Sequence, residues 1–414
     1  MKRPASEEGY ELTLGAPEQP ATEIAPEAEP TSPGEWVKKN LFANPRSSVL
    51  TLIVAAVIVW LSVKVSSFAF GGADWSVFKA NLRVYMIGRF PLDEVWRIWT
   101  CVYGLALLIG LSRGVLPRRR ATVTGVVWRV IVAVASAGAL LYLVESILVL
   151  VLVAGVPATV VAGRLVGQTL GARTWRALVV AWILAFPFVI VLLRAFDGVK
   201  PASWGGFVLN AIVAVVAIFV SFPIGILLAL GRRSTLPAVR VFCVGFIEFI
   251  RGVPLAALIV FGIFVLPLLL PPGIDPPNIV LAIIMFVIFS AVYVAEIVRG
   301  GLQGVAEGQY EASRALGLRY PRMMRHIILP QALRNTIPAM ISHFISLFKD
   351  TSLLVVAGIF SDLASAAGRA TRLNVFVGRE IEALLPAAFI FWVVAFSMSR
   401  WSQRVERRVG VGER

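Results

Sequence analysis

The chain has 414 residues, of which 58% are hydrophobic and only 15% charged, at a mean hydropathy of +0.82. A water-soluble domain has no way to hide that much apolar surface, so the composition places the chain in the membrane class. The formal charge of +15 does not point to nucleic acid, because Lys and Arg sit mainly in short loops between apolar runs, where they anchor loops at the inner leaflet.

Taken in order, residues 1–47 read as a disordered cytoplasmic tail. The first 34 are rich in Glu, Pro, Ala and Thr without an apolar period, and Lys38, Lys39 and Arg46 hold the N-terminus inside. The first apolar run begins near Ser48, too late for a cleaved signal peptide. A span is expected over Val49 to Phe68, close to the ~20 residues a bilayer needs. A loop with Trp75, Trp96 and Trp99 leads to a short second span near Ile98 to Leu111, which Arg113 and Arg118 to Arg120 mark as ending in the cytoplasm. The tract Val126 to Val166 reads either as one long helix or as a hairpin turning near Glu145-Ser146. Another span covers Trp175 to Leu193. Cys101 and Cys243 lie inside apolar stretches and read as packing residues. His326 and His343 fall in different elements, which disfavours a histidine-based metal or nucleophilic site.

Five further spans are expected: Gly206 to Leu230, Val241 to Leu270, Asn278 to Val298, Thr336 to Phe360, and Ala383 to Ser402. A short basic tail, 404–414, closes the chain. Between the third and fourth of these spans an apolar segment gives way to a basic, amphipathic connection over residues 299–330. Glu307 to Leu316 can form a short helix with small residues at Ala312, Ser313 and Ala315. Gly317 can end it in a left-handed conformation, and Pro321 suits the first turn of a second helix. There Met323, Met324, Ile327 and Ile328 gather on one side, and Arg322, Arg325 and His326 on the other. By these residues alone the connection is either a knuckle read by another protein or an amphipathic connector lying on lipid headgroups.

The internal order of the connection is specific: Glu311-Ala312-Ser313, three residues, Gly317, nine residues, then Ile327-Ile328-Leu329-Pro330. It resembles the Glu-Ala-Ala loop of the membrane subunits of ATP-binding-cassette importers, departing only at Ser313, where the pattern has Ala. Four shorter stretches resemble the polar amino-acid permeases: Ala229 to Ser234, Glu248 to Leu255, Ala295 to Gln303, and Phe348 to Leu353. The resemblance covers 205–403, and the front region 48–204 is similar to the extra N-terminal spans of general L-amino-acid permeases.

The resemblance implies an all-α polytopic permease of the bacterial inner membrane, with a five-helix core and an accessory front region. It implies a subunit that translocates polar or a broad range of L-amino acids. The implied partners are ATPase subunits, a second homologous permease, an external binding protein and membrane lipid. Glu311, Ala312, Ser313, Gly317, Ile327, Leu329 and Pro330 would couple to the ATPase. The chain should bind no cofactor itself, ATP and Mg residing on the ATPase; it has no Gly-x-x-x-x-Gly-Lys-Ser/Thr, and no Lys even follows a Gly. If the connection 299–330 is cytoplasmic, then 197–204 is outside. An N-terminus inside then requires the 126–166 tract to be a hairpin, giving ten spans with both termini cytoplasmic.

Charged groups within spans are functional candidates because they are costly there. Asp350 and Glu248 could face a solute ammonium, and Arg251, Arg299 or Lys349 its carboxylate, with Thr351 and Ser352 adding hydrogen bonds. Alternatively Glu248 pairs with Arg251 and Glu296 with Arg299, one helical turn away, and these residues only fix helices. Asn210 is a weaker candidate, more often helix glue. Two other classes stay open by sequence: a self-sufficient ion-coupled carrier, suggested by Lys349-Asp350, and a membrane-embedded enzyme, disfavoured because no nucleophile or metal constellation is visible.

Overall fold

The computed structural model describes residues 32–115, 147–171, 174–195, 197–358 and 361–409. They fall into two compact units, Met1–Ala73 and Asp74–Arg414. In the first, helix α1 (Pro33–Leu41) begins with a capping box: Ser32 Oγ accepts from the Glu35 amide at 3.3 Å, and Glu35 returns the bond to the Ser32 amide at 3.2 Å. The expectation of a disordered tail through residue 47 is therefore corrected over this stretch, because local capping suffices to start a helix there. Helix α2 (Pro45–Ser67) is apolar on every side and has no buried residue, the profile of a helix whose solvent is lipid.

The second unit opens with α3 (Ser76–Ile87), α4 (Val95–Val115), α5 (Ile147–Leu170) and α6 (Trp175–Arg194). Glycines set the α4 and α5 pair in backbone contact. A Cβ on Gly114 would lie 2.3 Å from the Arg164 carbonyl oxygen, and one on Gly167 would lie 2.5 Å from that of Leu111. Gly110-x-x-x-Gly114 thus faces Gly163-x-x-x-Gly167, and only hydrogen fits between. Arg97 is buried at 3% exposure and donates from Nη1 to the carbonyls of Leu192 and Ala195 at 2.6 and 2.9 Å, closing the end of α6. The first arm of the expected 126–166 hairpin lies outside the described residues.

The core follows as α7 (Gly206–Arg232), α8 (Pro237–Arg251), α9 (Leu255–Val260), α10 (Leu266–Leu269) and α11 (Asn278–Gln303). Next come the short α12 (Glu307–Ala315) and α13 (Tyr320–Met323), then α14 (Leu329–Asp350), α15 (Leu363–Ala370) and α16 (Glu380–Val409). A two-residue strand, Ser361–Asp362, bridges to Gly205 and Gly206 and is the one departure from helix among the described elements. The hydrophobic core joins Leu209 and Val213 of α7, Phe286 of α11 and Leu347 of α14 to Phe90, Leu193, Val199 and Trp204. The front region from Asp74 onward therefore shares one core with 205–403 instead of forming a separate body, and the expected boundaries at 47/48 and 204/205 are not where the packing divides.

Three expected spans differ from the fold. The run Val241 to Leu270 is broken: Pro237–Arg251 and Leu255–Leu269 meet at 104°, with Gly252 and Pro254 at the break. The fourth core span starts far earlier than Thr336, because α13 runs on into α14 through a π segment, Met324–Ile328. Likewise α16 continues past Arg404, so the basic tail is helical through Val409. Among the described residues seven helices are long and apolar enough to cross a membrane, or nine if each of two bent pairs is one span. The polytopic all-helical class stands, and the tenth expected span falls on residues outside that description.

Candidate functional site

The connection after α11 folds as a knuckle. Its short helix α12 ends at Gly317, which has φ +66, and two backbone bonds close the turn: Gly317 N–H to the Arg314 carbonyl at 2.9 Å, and Leu318 N–H to that of Ser313 at 3.1 Å. This is a Schellman C-cap, which requires the left-handed residue that Gly supplies. Tyr310 anchors the inner side, its hydroxyl donating to the Leu302 carbonyl at 3.1 Å and accepting from Arg233 Nη1 at 3.2 Å. Met323, Met324 and Ile328 pack beneath with Tyr310, while Arg322, Arg325 and His326 stay exposed. A cavity of about 280 Å³ opens between Arg233, Tyr310, Arg314 and Met323.

The side presented outward consists of Glu311, Ala312, Ala315 and Leu316, the last 75% exposed. Ser313 faces the other way: it is 1% exposed and its hydroxyl donates to the Gln309 carbonyl at 2.6 Å. Ser313 therefore belongs to the inner packing of the knuckle. Ile327 and Leu329 are half-buried, and Pro330 lies exposed at the start of α14.

Four of the expected solute-path residues gather into one ionic cluster around a fifth, Arg232. Its Nη1 donates to Glu248 at 3.0 Å and to Glu296 at 2.6 Å, joining α7 to α8 and α11. Arg251 lies 3.6 Å from Glu248 and 3.7 Å from Glu296, and Arg299 Nε sits 3.0 Å from Glu296. Both local pairs form, and the cluster lies at the end of α7 next to Arg233 and the knuckle. In the sequence Arg232 reads only as a basic residue at the end of a span, the mark of a cytoplasmic loop. Its partners are 16 and 64 residues away, and no local pattern announces them.

The other candidates sit near the opposite end of α14. Lys349 is exposed and Asp350 half-buried. Asn210 is fully buried: its amide nitrogen donates to the Thr351 carbonyl and hydroxyl at 3.1 and 3.2 Å, and its oxygen accepts from the Leu363 amide at 2.9 Å. With Thr351 Oγ1 donating to the Phe348 carbonyl at 2.6 Å, both residues are turned into the protein and tie α7, α14 and α15. Ser352 is half-buried. A polar chain that the sequence reading did not find crosses the core, with Ser221 Oγ 2.8 Å from Ser290 Oγ, and Ser290 Oγ 3.0 Å from His343 Nε2. Among the described residues no group of three or more His, Cys, Asp or Glu is placed to hold a metal ion.

A family model described as binding-protein-dependent transport system inner membrane component matches residues 221–411. The chain is 33% identical over 397 residues to the inner membrane amino-acid ABC transporter permease protein YhdY of Escherichia coli, covering 91% of this chain and 93% of that one. It is 32% identical over 426 residues to the glutamate/glutamine/aspartate/asparagine transport system permease protein BztC of Rhodobacter capsulatus, covering 93% and 96%. The probable glutamine ABC transporter permease protein GlnP of Bacillus subtilis, 34% identical over 208 residues, matches half of this chain and 92% of its own. A multi-pass helical protein with these relatives is a transport subunit of the inner membrane, not an enzyme. The chain belongs to the amino-acid ABC transporter permeases, in which ATP hydrolysis lies on a separate subunit.

Proposed function

We propose that this permease moves amino acids inward, receiving them from an external binding protein and drawing its energy from an ATPase docked on the knuckle after α11. The names of the relatives support acidic amino acids and their amides as the solute class. A second homologous permease completes the path, ATP and Mg stay on the ATPase, and lipid surrounds α2. The 299–330 connection, the loop 233–236 and both termini face the cytoplasm. Lys349 and Asp350 are the charges left to meet a zwitterion, one for its carboxylate and one for its ammonium. Region 205–403 carries transport, and 48–204 is accessory to it.

The observation that carries this reading is the knuckle: a helix capped by left-handed Gly317, pinned inside by Tyr310 and Ser313, and open outside at Glu311, Ala312, Ala315 and Leu316. Its test is Glu311→Lys and Gly317→Asp in the assembled importer. Both chains should reach the membrane with their partners while uptake falls at least ten-fold and solute no longer stimulates ATP hydrolysis. Wild-type uptake in both variants overturns the assignment.

A further inference from the structure

Three charged side chains, Arg233, Glu307 and Arg314, line the cavity of about 280 Å³ at the knuckle. Among the described residues none of the three is in an ion pair. One residue before Arg233, Arg232 is answered by two carboxylates, Glu248 and Glu296. Arg233 meets a phenol instead: its Nη1 donates to the Tyr310 hydroxyl at 3.2 Å, and its guanidinium lies 5.8 Å from the centre of that ring. A guanidinium carries five N–H donors in a fixed fork, and this contact holds the fork at the cavity while using one of them. Glu307 stands on the same wall and pairs with neither arginine.

That wall is a defined sector of α12. Residues 307, 310 and 314 recur at intervals of three and four, which places them in one stripe, and at about 100° per residue they fall within about 60° of one another. Glu311, Ala312, Ala315 and Leu316 occupy the next sector round the helix, so a partner seated on that side leaves the cavity unfilled. The remaining wall is apolar, with Met323 and Met324 both buried. The volume is close to the lower limit for small-molecule pockets, about 300 Å³, so the occupant must be small. Two guanidiniums and one carboxylate complement two carboxylates and one ammonium. A phosphate would be repelled by Glu307, and an amide side chain would leave one guanidinium unanswered.

We propose that the cavity is a cytoplasmic site for a free acidic amino acid, glutamate or aspartate, whose two carboxylates meet Arg233 and Arg314 and whose ammonium meets Glu307. Bound there, it ties α12 to the end of α7 and holds the knuckle still, so accumulated solute slows the ATPase docked on it. The site rests on the importer reading and adds a brake to it.

The test uses the complete transporter in nanodiscs, where both faces are open to the buffer, with the binding protein already saturated by its solute. ATP hydrolysis should fall about five-fold or more as glutamate or aspartate is raised to millimolar concentration, and should change little with glutamine. Glu307→Gln and Arg314→Gln should each abolish the fall. Occupancy is read separately. Cys101 and Cys243, both buried, are replaced by Ala, and Leu318→Cys, half-buried on the cavity wall, is labelled with a charged methanethiosulfonate reagent, which attacks thiolate in water. Glutamate should slow labelling of this chain at least ten-fold, and glutamine or inorganic phosphate should not. Equal effects of glutamate and glutamine, a fall that survives both variants, labelling indifferent to glutamate, or equal protection by phosphate would each overturn the site. If saturated binding protein fails to stimulate hydrolysis before any glutamate is added, the importer reading fails instead.

Discussion

The α4–α5 pair and the α11–α14 pair solve the same packing problem with different chemistry. In the front pair, four glycines let the backbones touch, and one hydrogen bond, from the Tyr103 hydroxyl to the Leu152 carbonyl at 2.7 Å, adds to it. In the core pair Gly301 gives the same closeness, a Cβ there meeting Thr336 Cγ2 at 2.3 Å, but farther back along α11 the same pair is joined by Ser290 to His343, and α11 also carries Glu296, ion-paired to Arg232 of α7. A seam made of backbone and dispersion has one arrangement. Hydrogen bonds and half-exposed ion pairs can be exchanged for others at small net cost. We therefore expect the front pair to hold a single arrangement and the core pair to be the one that can rearrange.

The largest effect should come from filling the core seam. Gly301→Val drives a branched side chain into Thr336 and the Ala332 carbonyl, an overpacking worth about 1–3 kcal/mol or more, at a contact that must also move. Uptake should fall below detection although the chain is membrane-inserted. Next is Gly163→Val, which meets the Leu107 carbonyl at 2.8 Å. A similar cost should appear as a lower unfolding temperature in detergent, yet uptake at low temperature should persist if the front region is accessory. Equal loss of uptake in the two variants would erase the distinction between the pairs.

How much of this was legible beforehand depends on the range of the interaction. The Schellman turn at Gly317 is local, and residue types within ten positions specify it. Spans were readable because a run of about 20 apolar residues is itself the signal. The 104° break falls in a run long enough to read as one span, and Glu248, Arg251, Gly252 and Pro254 inside it were the only local signs. The inward turn of Ser313 could not be read, since a small side chain fits either face. The glycine seam had a signal in Gly110-x-x-x-Gly114 and Gly163-x-x-x-Gly167, but its pairing joins residues some fifty positions apart. Arg232 illustrates the limit most clearly, because a basic residue after a span satisfies the inside-loop rule and conceals a structural role.

Arg232→Ala should therefore have a smaller, sharper effect than either glycine change. Glu296 retains Arg251 and Arg299, so the loss should be about 1 kcal/mol, and Arg232→Lys should restore part of it, since a single nitrogen, Nη1, makes both contacts. The diagnostic is a double-mutant cycle: Arg232→Ala and Glu296→Ala should combine to much less than their sum in unfolding free energy. Additive effects would show that the cluster is a crowd of charges without coupling.

The smallest effect concerns Asp362, in the connection between α14 and α16. It is fully buried, accepts from the Ala364 amide at 3.1 Å and from the Ser365 hydroxyl, and caps α15. Burial pushes its pKa above the ordinary 3.8, against the pull of those two hydrogen bonds and of Arg369. The folded chain then holds the Asp362 proton more tightly than the unfolded chain. Its contribution to stability is fully present below 3.8 and is lost as pH rises through the raised value, where the folded state must ionise a buried carboxyl. Asn caps a helix about as well as Asp and cannot ionise. Asp362→Asn should keep α15 and change uptake little, while flattening the decline in unfolding temperature as pH rises above 3.8 relative to wild type. Parallel pH profiles for the two chains would mean that the carboxyl ionises without cost, and that the junction of Asn210, Thr351 and Asp362 is wetter than its packing indicates.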